Sequence, residues 1–258
     1  MLTPPNPPAP RGPFVTFVGA GPGAAQHLTL GAYHALQGAD LIIHDRLVGP
    51  EVLALIPVHI PRIDVGKEGF GKQAAQADIN AALIAHASTG AHVARLKGGD
   101  TGIFGRLDEE ISALEGAGIA YAIQPGLTAA SVAAAAIGQS LTQRGRNAAL
   151  RIVTGHDMAG FADQDWRGLA QRGEVAAIYM GKKSARFIQG RLMMQGAGAD
   201  TPVTLVENVS RADQRIIACT LATFAANAAQ LAGPAVILLG LAPRAATQHI
   251  SHLQEAQA

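Results

Sequence analysis

The residue types with the clearest chemical potential are concentrated in one segment of twelve residues, from Arg95 to Arg106. It contains four glycines, one carboxylate at Asp100 and three cations. Glycine is used where backbone must approach a ligand closely or adopt a positive φ, and a carboxylate after paired glycines can accept hydrogen bonds from hydroxyl or ammonium groups. Arg106 can hold a carboxylate or a phosphate. The segment therefore predicts one loop that contacts two ligands of different charge.

Four further segments carry patterns that suit ligand contacts. They are a glycine loop at Gly19–Gly23, two lysines among three glycines in Val65–Lys72, two arginines in Leu141–Arg146 and a histidine after an apolar run in Val153–His156. Each also has a plainer interpretation: a tight turn, a solvated loop, surface arginines paired with acids such as Glu109, or a polar residue beside a helix. By pattern alone, none of the four decides a function.

The first glycine loop follows a strand pattern, where a dinucleotide-binding fold places its phosphate loop. Ala24 stands where the strict G-x-G-x-x-G pattern has its third glycine, and Pro22 lacks an amide donor. An acidic residue about 20 positions later, as that fold requires, is present as Asp40 or Asp45. On spacing alone, the pattern disfavours nicotinamide binding.

Composition favours a folded, soluble protein of 258 residues, with 48% hydrophobic and 15% charged residues and a net charge of +1. The small net charge argues against a nucleic-acid partner. The apolar run 235–242 is far shorter than the roughly 20 residues of a membrane helix, so we expect no membrane partner. The single cysteine, Cys219, excludes an internal disulfide and any multi-cysteine zinc site. We therefore expect no metal and a reducing, cytoplasmic location.

Short apolar runs alternate with helical patterns through the first half of the chain, which predicts an α/β fold with a mainly parallel first sheet. In the second half, one strand follows another after a short connection, which predicts an antiparallel pair and a mixed sheet. The predicted strands are Phe14–Val18, Leu41–His44, Val93–Leu96, Tyr121–Gln124, Leu150–Thr154, Val175–Met180, Pro202–Glu207, Arg215–Thr220 and Ala235–Leu239. The predicted helices are Leu28–Leu36, Ile79–Ala87 with Asp78 as N-cap, Glu109–Ala117, Ala129–Ile137, Phe187–Met194 and Leu221–Leu231.

Four segments are expected along the chain. The first thirteen residues hold six of the fourteen prolines and predict a disordered tail at 1–13. An N-terminal α/β domain is expected at 14–126 and a C-terminal α/β domain at 127–244, with the boundary near Pro125–Thr128. A polar tail is expected at 245–258.

Read in order, the motifs resemble the uroporphyrinogen-III C-methyltransferases of the tetrapyrrole methylase superfamily. The motifs that carry the resemblance are V-G-A-G-P-G, V-G-K, R-L-K-G-G-D-x-x-x-F-G-R-x-x-E-E, P-G-x-T-A, L-T-x-R-G, V-T-G-H, Y-M-G and T-P-V. The resemblance extends from Phe14 to Ala242. It departs from the family's usual pattern at Thr101, where the family has proline, and at Leu107 and Asp108, where it has two glycines.

The resemblance implies two α/β domains with a cleft between them, and a homodimer. It implies S-adenosylmethionine as methyl donor, with S-adenosylhomocysteine as product, and no metal. The expected reaction is methylation of uroporphyrinogen III at C2 and C7 to give precorrin-2, which feeds siroheme and cobalamin. The substrate is thus a small-molecule tetrapyrrole.

The resemblance also assigns residues to the site. The cofactor-binding positions are Pro22, Gly98, Gly99, Asp100, Ile103, Phe104, Thr128, Ala129, Met180, Val209 and Ala235. The polar positions on the substrate side are Arg106, Glu109, Arg144 and His156, with Lys67 as a further substrate-binding residue.

The chemistry of that substrate suits these residue types. Uroporphyrinogen III carries eight carboxylates, which arginines and lysines would neutralise. Its pyrrole carbons are already nucleophilic, so the protein must mainly align the two reactants and provide a base for the released proton. We expect Arg106 and Arg144 to anchor carboxylates and Glu109 to handle the proton.

Three alternatives remain open from the sequence. One is a methylase that acts later in corrin synthesis, or on RNA or a modified histidine, as other members of the superfamily do. Another is a protein that binds cofactor or tetrapyrrole without turnover, suggested by Leu107 and Asp108. The third is a nicotinamide dehydrogenase, which rests on Gly19–Gly23 alone.

Overall fold

The structure is a computed structural model, and it describes residues 12–66, 76–157 and 160–245. The chain divides into two compact units between Thr128 and Ala129. Lys67 lies outside the described residues, as do the predicted tails apart from residues 12, 13 and 245. Unit 1 denotes the part before this division and unit 2 the part after it.

Unit 1 is built on a sheet of five parallel strands in the order β3-β2-β4-β1-β5. This confirms the parallel sheet that the alternating pattern predicts. In the centre of the sheet, Gly19 at the end of β1 pairs with Lys97 at the end of β4, so the loops after both strands leave from the same edge. The strands are β1 Phe14–Gly19, β2 Leu41–His44, β3 Arg62–Asp64, β4 His92–Lys97 and β5 Ala120–Gln124.

Helices cover both faces of this sheet. Successive residues of a strand point to opposite faces, and Val18 and Phe17 of β1 accordingly belong to two different apolar clusters. One cluster includes residues of the first two helices, and the other includes residues of the third and fourth. The helices are α1 Leu30–Gln37, α2 Pro50–Ala54, α3 Gln76–Ala87 and α4 Leu107–Gly116, with a 3₁₀ turn at Ala25–His27.

Among the differences from the sequence prediction in unit 1 are the starts of two helices. Asp78 is not an N-cap, because α3 begins at Gln76 and places Asp78 in its first turn. The first helix begins at Leu30 rather than Leu28, since the hydroxyl of Thr29 accepts a hydrogen bond from the amide of Ala32 at 3.1 Å and caps the helix there.

Unit 2 contains a mixed sheet of five strands in the order β6-β7-β10-β8-β9. The first two strands are parallel, and the other neighbouring pairs are antiparallel. The predicted antiparallel pairing of Pro202–Glu207 with Arg215–Thr220 is confirmed over all six residues of each strand. The strands are β6 Arg151–Thr154, β7 Ala176–Tyr179, β8 Pro202–Glu207, β9 Arg215–Thr220 and β10 Ala235–Leu239.

Short helices complete unit 2. The alanine-rich α5 packs closely on the sheet, since Ala130 and Ala133 are fully buried against apolar side chains of β7 and β10. The predicted helix Leu221–Leu231 is shorter and begins as a 3₁₀ turn, which a reciprocal pair of hydrogen bonds between Thr220 and Thr223 closes. The helices are α5 Ala129–Ala136, α6 Trp166–Leu169, α7 Ala185–Met194 and α8 Phe224–Ala228. In the described ranges, no helix combines the length and apolar character needed to cross a bilayer.

Candidate active site

The Gly98–Asp100 turn follows β4 and is fixed by the first glycine loop. The amide of Gly99 donates to the carbonyl of Gly21 at 2.7 Å, and the amide of Gly21 donates back to the carbonyl of Gly99 at 3.1 Å. Gly99 has a φ of 74°, and a Cβ placed on it would meet no heavy atom within 4 Å. One side of the turn is therefore held by backbone, and the other side is open to a ligand.

Asp100 uses its carboxylate to brace this turn. One carboxylate oxygen accepts the amide of Gly102 at 2.9 Å, and the other accepts the amide of Gly126 at 2.9 Å. Gly126 lies so close to Gly19 that a Cβ on either glycine would collide with the backbone of the other. Asp100 thus ties the turn to the segment after β5, and its remaining lone pairs are what a ligand could use.

The segment after the turn contains two residues in the left-handed region. Phe104 has a φ of 52° and Arg106 a φ of 55°, a conformation that side chains rarely adopt and that concentrates at functional sites. Thr101 is buried, and a Cβ on Gly105 would approach the carbonyl oxygen of Thr101 and the side chain of Lys97. The loop therefore closes on itself above Lys97 and leaves Phe104 and Arg106 exposed.

Arg106 and Glu109 form an ion pair through two hydrogen bonds. The Nε of Arg106 lies 2.8 Å from one carboxylate oxygen of Glu109, and Nη2 lies 2.7 Å from the other. Each side chain is 51% exposed. The hydrogen bond lowers the pKa of Glu109 and raises that of Arg106. The plainer interpretation of the arginines, as surface residues paired with acids, anticipates this ion pair. The pair nevertheless leaves both groups accessible to a ligand.

Beneath this loop lies a buried ion cluster that the sequence reading did not single out. One oxygen of Glu110 accepts from Lys97 Nζ at 2.8 Å, from Arg95 Nη2 at 3.0 Å and from Gln76 Nε2 at 3.1 Å. The same Nη2 of Arg95 donates to Asp45 at 2.6 Å. Arg95, Lys97 and Glu110 are all fully or almost fully buried.

The pKa values in the cluster follow its charges. Burial acts to raise the pKa of Glu110, but the charges of Arg95 and Lys97 outweigh it and hold that pKa below its ordinary value. Burial and the neighbouring Arg95 lower the pKa of Lys97. A usable signal was present in the sequence, because Arg95 and Lys97 are two residues apart in an apolar strand and must share one face.

In unit 2, left-handed residues again follow the strand ends. Met180 comes directly after β7 with a φ of 53° and is 52% exposed. Asn208 and Ser210 follow β8 with φ values of 49° and 60° and flank Val209. The side chain of Val209 is buried in the apolar core, so only its backbone is available to a ligand.

The segment before Ala235 is held by Glu207, the last residue of β8. One oxygen of Glu207 accepts the amides of Ala232 and Gly233, each at 2.5 Å, and the other accepts from Arg215 at 3.1 Å. The Nζ of Lys182 donates to the carbonyls of the same two loop residues at 2.8 and 3.2 Å. The backbone that leads into β10 is therefore fixed by a carboxylate and an ammonium group.

The strand directions bring four of the predicted unit 2 residues to one edge of the sheet. Met180 and Val209 follow β7 and β8, Ala235 begins the antiparallel β10, and His156 follows β6. Ala129 begins α5 near this edge, since the amide of the next residue, Ala130, donates to the hydroxyl of Tyr179 at 2.8 Å, and Thr128 directly precedes Ala129 in the chain.

Arg144 is not brought to this edge. It lies in an exposed loop, in which the carbonyl of Arg146 packs beside Gly173. Gly173 precedes β7, whereas Met180 follows β7, so the two residues lie toward opposite ends of that strand. Within the described residues, the side chains of Arg144 and His156 form no hydrogen bond or ion pair. The backbone of His156 is fixed by the hydroxyl of Thr154 at 2.7 and 3.3 Å.

Several of the predicted residues in the described part of unit 1 do come together. Pro22 lies in the glycine loop that bonds to the Gly98–Asp100 turn, and Ile103 and Phe104 continue that turn toward Arg106. Across the part of the chain that is described, no group of three or more His, Cys, Asp or Glu residues is arranged to hold a metal ion.

Comparison with known proteins gives consistent matches. Residues 15–225 match the family model of the tetrapyrrole (corrin/porphyrin) methylases. The chain is 45% identical to a siroheme synthase of Edwardsiella ictaluri and 42% identical to one of Xylella fastidiosa, over 88% of its own length in both cases. These alignments cover 49% and 48% of the two relatives, so the chain spans about half the length of the curated relatives it matches.

Two solved methyltransferase structures also align with this chain. A uroporphyrin-III C-methyltransferase of Thermus thermophilus, complexed with S-adenosylhomocysteine, aligns with a TM-score of 0.75 and 34% identity, covering 88% of this chain and 96% of that one. A cobalt precorrin-4 methyltransferase aligns with a TM-score of 0.79 at 22% identity, over 90% of this chain and 98% of that one. The second match shows a shared fold alone.

Proposed function

The chain belongs to the tetrapyrrole (corrin/porphyrin) methylases, and we propose on that premise that it transfers methyl groups from S-adenosylmethionine to uroporphyrinogen III. The expected products are precorrin-2, methylated at C2 and C7, and S-adenosylhomocysteine. The names of the Thermus relative and of the siroheme synthases support this substrate. The proposal is limited to the methylation, since the chain matches only half of each siroheme synthase.

The exposed pair of Arg106 and Glu109 is the observation that carries the proposal. It places a guanidinium group that can bind a carboxylate in two-pronged fashion a few residues beyond the Gly98–Asp100 turn. A substrate with eight carboxylates offers such a group in several orientations. The left-handed backbone of Arg106 also supports a functional role, because conformations of this kind persist where the surrounding structure enforces them.

The residues of the turn fit the proposed methyl donor. When bound, S-adenosylmethionine supplies a methyl group on a positively charged sulfur. Gly99 leaves its outer side open, so that backbone can contact a ligand closely, and Asp100 retains lone pairs for an ammonium or hydroxyl group. In unit 2, the exposed Met180 and the fixed backbone at Ala235 offer apolar surface and backbone hydrogen-bonding groups.

Arg106 and Glu109 have different roles toward the substrate. Arg106 binds a substrate carboxylate and thereby gives up one or both hydrogen bonds to Glu109. Because that hydrogen bond lowers the pKa of Glu109, its loss lets the pKa rise toward the ordinary value and makes the carboxylate a better proton acceptor. Glu109 then takes the proton that leaves the ring after methyl transfer.

Arg144, His156 and Lys67 complete the proposed substrate contacts as groups that bind carboxylates or hold protons. Of these, Lys67 lies outside the described residues. Arg144 lies away from the sheet edge that carries His156, so its contribution depends on how far the tetrapyrrole extends. We further propose that the protein acts in the cytoplasm as a homodimer, which light scattering at several protein concentrations tests.

The decisive experiment is turnover under exclusion of air. The protein is incubated with enzymatically prepared uroporphyrinogen III and S-adenosylmethionine, and the product is identified by mass and absorption spectrum. A gain of two methyl groups supports the proposal. A gain of one indicates that the second transfer is missing, and a gain of none overturns the assigned substrate.

Substitutions connect that activity to the pair. Arg106→Ala is expected to lower kcat by a factor on the order of 10² to 10³, as for the loss of one preorganised charge-stabilising group. Arg172→Ala, which removes an exposed arginine of unit 2 that has no proposed role, serves as the control and is expected to keep full turnover. Full turnover by both Arg106→Ala and Glu109→Gln contradicts the roles assigned to this pair.

A further inference from the structure

The buried cluster beneath the Arg106 loop has no part in the chemistry described above. Its two cations, Arg95 and Lys97, face two carboxylates, Asp45 and Glu110. Placing charges in the interior carries a desolvation cost that apolar residues of similar size avoid. A fold that only needed stability at this point could therefore use an apolar core.

Two contacts connect the cluster to the backbone at Arg106. Glu110 lies one helical turn after Arg106 in α4, and its amide donates to the carbonyl of Arg106 at 3.4 Å. The side chain of Lys97 lies under Gly105, the residue before Arg106, so closely that a Cβ on Gly105 would lie 3.2 Å from Lys97 Cε. The bond between Lys97 and Glu110, at 2.8 Å, closes a ring around the strained residue.

We propose that Lys97 and Glu110 are positioning residues that hold Arg106 in its left-handed conformation and so direct its guanidinium toward the substrate. The backbone of Arg106, at a φ of 55°, is not the conformation that an arginine adopts by itself. At the start of α4, the side chain of Arg106 forms no capping hydrogen bond and pairs instead with the exposed Glu109. Without the buried pair, the residue relaxes and its side chain points elsewhere.

The Gly98–Asp100 turn, called the donor turn because it is proposed to bind the methyl donor, is held by different contacts. Gly99 is fixed by two hydrogen bonds to Gly21, and Asp100 by the amides of Gly102 and Gly126. None of these bonds passes through Lys97 or Glu110 side chains. Loss of the buried pair should therefore affect turnover far more than donor binding, a split that a general loss of folding would not produce.

The inference rests on the proposed methylation, and the test begins by showing that the wild-type protein makes a doubly methylated product. The variants are Glu110→Gln and the double variant Lys97→Met with Glu110→Gln. The double variant removes one charge of each sign and leaves Arg95 paired with Asp45, so no buried charge is left without a partner. Turnover, binding of S-adenosylhomocysteine by calorimetry and the thermal unfolding midpoint are measured for each.

We expect the double variant to recover the unfolding midpoint lost by Glu110→Gln but to keep a kcat reduced by a factor on the order of 10². Donor affinity should stay close to that of the wild type in both variants. Asp45→Asn is the matched control, since it removes one charge from the far side of the same cluster and is expected to leave kcat close to wild type.

Two results overturn the inference. One is recovery of kcat together with stability in the double variant, which means that the pair serves folding alone. The other is a parallel fall of donor affinity and kcat. If the wild-type protein does not methylate uroporphyrinogen III at all, the proposed function fails first, and this outcome is distinct from both.

Discussion

Unit 1 and unit 2 each bury one carboxylate beside the loops assigned to the site, and they satisfy it in different ways. Glu110 in unit 1 is 0% exposed and receives hydrogen bonds from the side chains of Arg95, Lys97 and Gln76. Glu207 in unit 2 is 2% exposed and receives two backbone amides and one half-exposed arginine.

The difference corresponds to what each loop has to present. The loop above Glu110 presents two charged side chains, Arg106 and Glu109, whose direction depends on backbone conformation. The loop beside Glu207 leads into Ala235, which can contact a ligand mainly through its backbone. A carboxylate that binds charged side chains secures the packing of a helix on a strand, whereas one that binds amides fixes the path of the backbone directly.

The largest effect on stability is expected from Glu110→Gln. The substitution leaves two buried cations short of one negative charge, and breaking a buried ion pair in this way costs about 3–5 kcal/mol. Hydrogen–deuterium exchange, which reports the two units separately, should show faster exchange in α4 and β4. Equal acceleration in unit 2 would mean that the effect is not confined to the cluster.

A smaller effect is expected from Glu207→Gln. The amide oxygen can still accept hydrogen bonds from Ala232 and Gly233, but these buried hydrogen bonds are weaker than those to a carboxylate. The free energy of unfolding should therefore fall by about 1–3 kcal/mol. Because the loop before Ala235 loosens, binding of S-adenosylhomocysteine should weaken roughly tenfold, equivalent to about 1.4 kcal/mol, with kcat at saturating donor little changed. Unchanged donor affinity in calorimetry would show that this loop does not serve the donor.

Acidic pH should lower the stability of unit 1 by a smaller amount than either substitution. The pKa of Glu110 is lower in the folded protein than in the unfolded chain, because Arg95 and Lys97 favour its charged form. Its contribution to stability is therefore present above the ordinary pKa of glutamate, about 4.3, and is lost as the pH falls through the lower folded value. Unfolding midpoints measured at decreasing pH should converge for the wild type and Glu110→Gln. Parallel curves would contradict the linkage.

The smallest effect on stability is expected from Glu109→Gln, because Glu109 is solvent-exposed and its pair with Arg106 is screened by water. The unfolding midpoint should not change measurably. Turnover should nevertheless fall by a factor of about 10² if Glu109 accepts the ring proton. A variant that keeps its midpoint and its turnover would remove Glu109 from the mechanism.

Much of the fold could be predicted from the sequence, because the strands are short apolar runs separated by helical patterns. Pro202–Glu207, Arg215–Thr220 and Ala235–Leu239 coincide with the observed strands. The elements that the sequence reading missed are short. Strand β3 has three residues and α2 five, and such lengths leave too little periodicity to recognise.

The candidate site was less accessible from sequence. Glycines, Arg106 and Glu109 stand out by their types and spacing, but hydrogen-bond partners far apart in the chain do not. The bond of Asp100 to Gly126 spans 26 residues, and that of Arg95 to Asp45 spans 50. Local patterns carry no information on such contacts. Asp100, which suggests ligand binding, therefore also braces its turn, and Arg95, which belongs to the segment expected to contact ligands, is buried.

The close approach of Gly19 to Gly126 has a consequence for engineering the substrate range of this protein. Any side chain at either glycine would push apart the ends of β1 and β5 and carry the donor turn with them. A mutant library for new tetrapyrroles should therefore keep both glycines constant. It should vary Leu107 and Asp108 instead, which directly follow Arg106 and are partly or fully open to solvent.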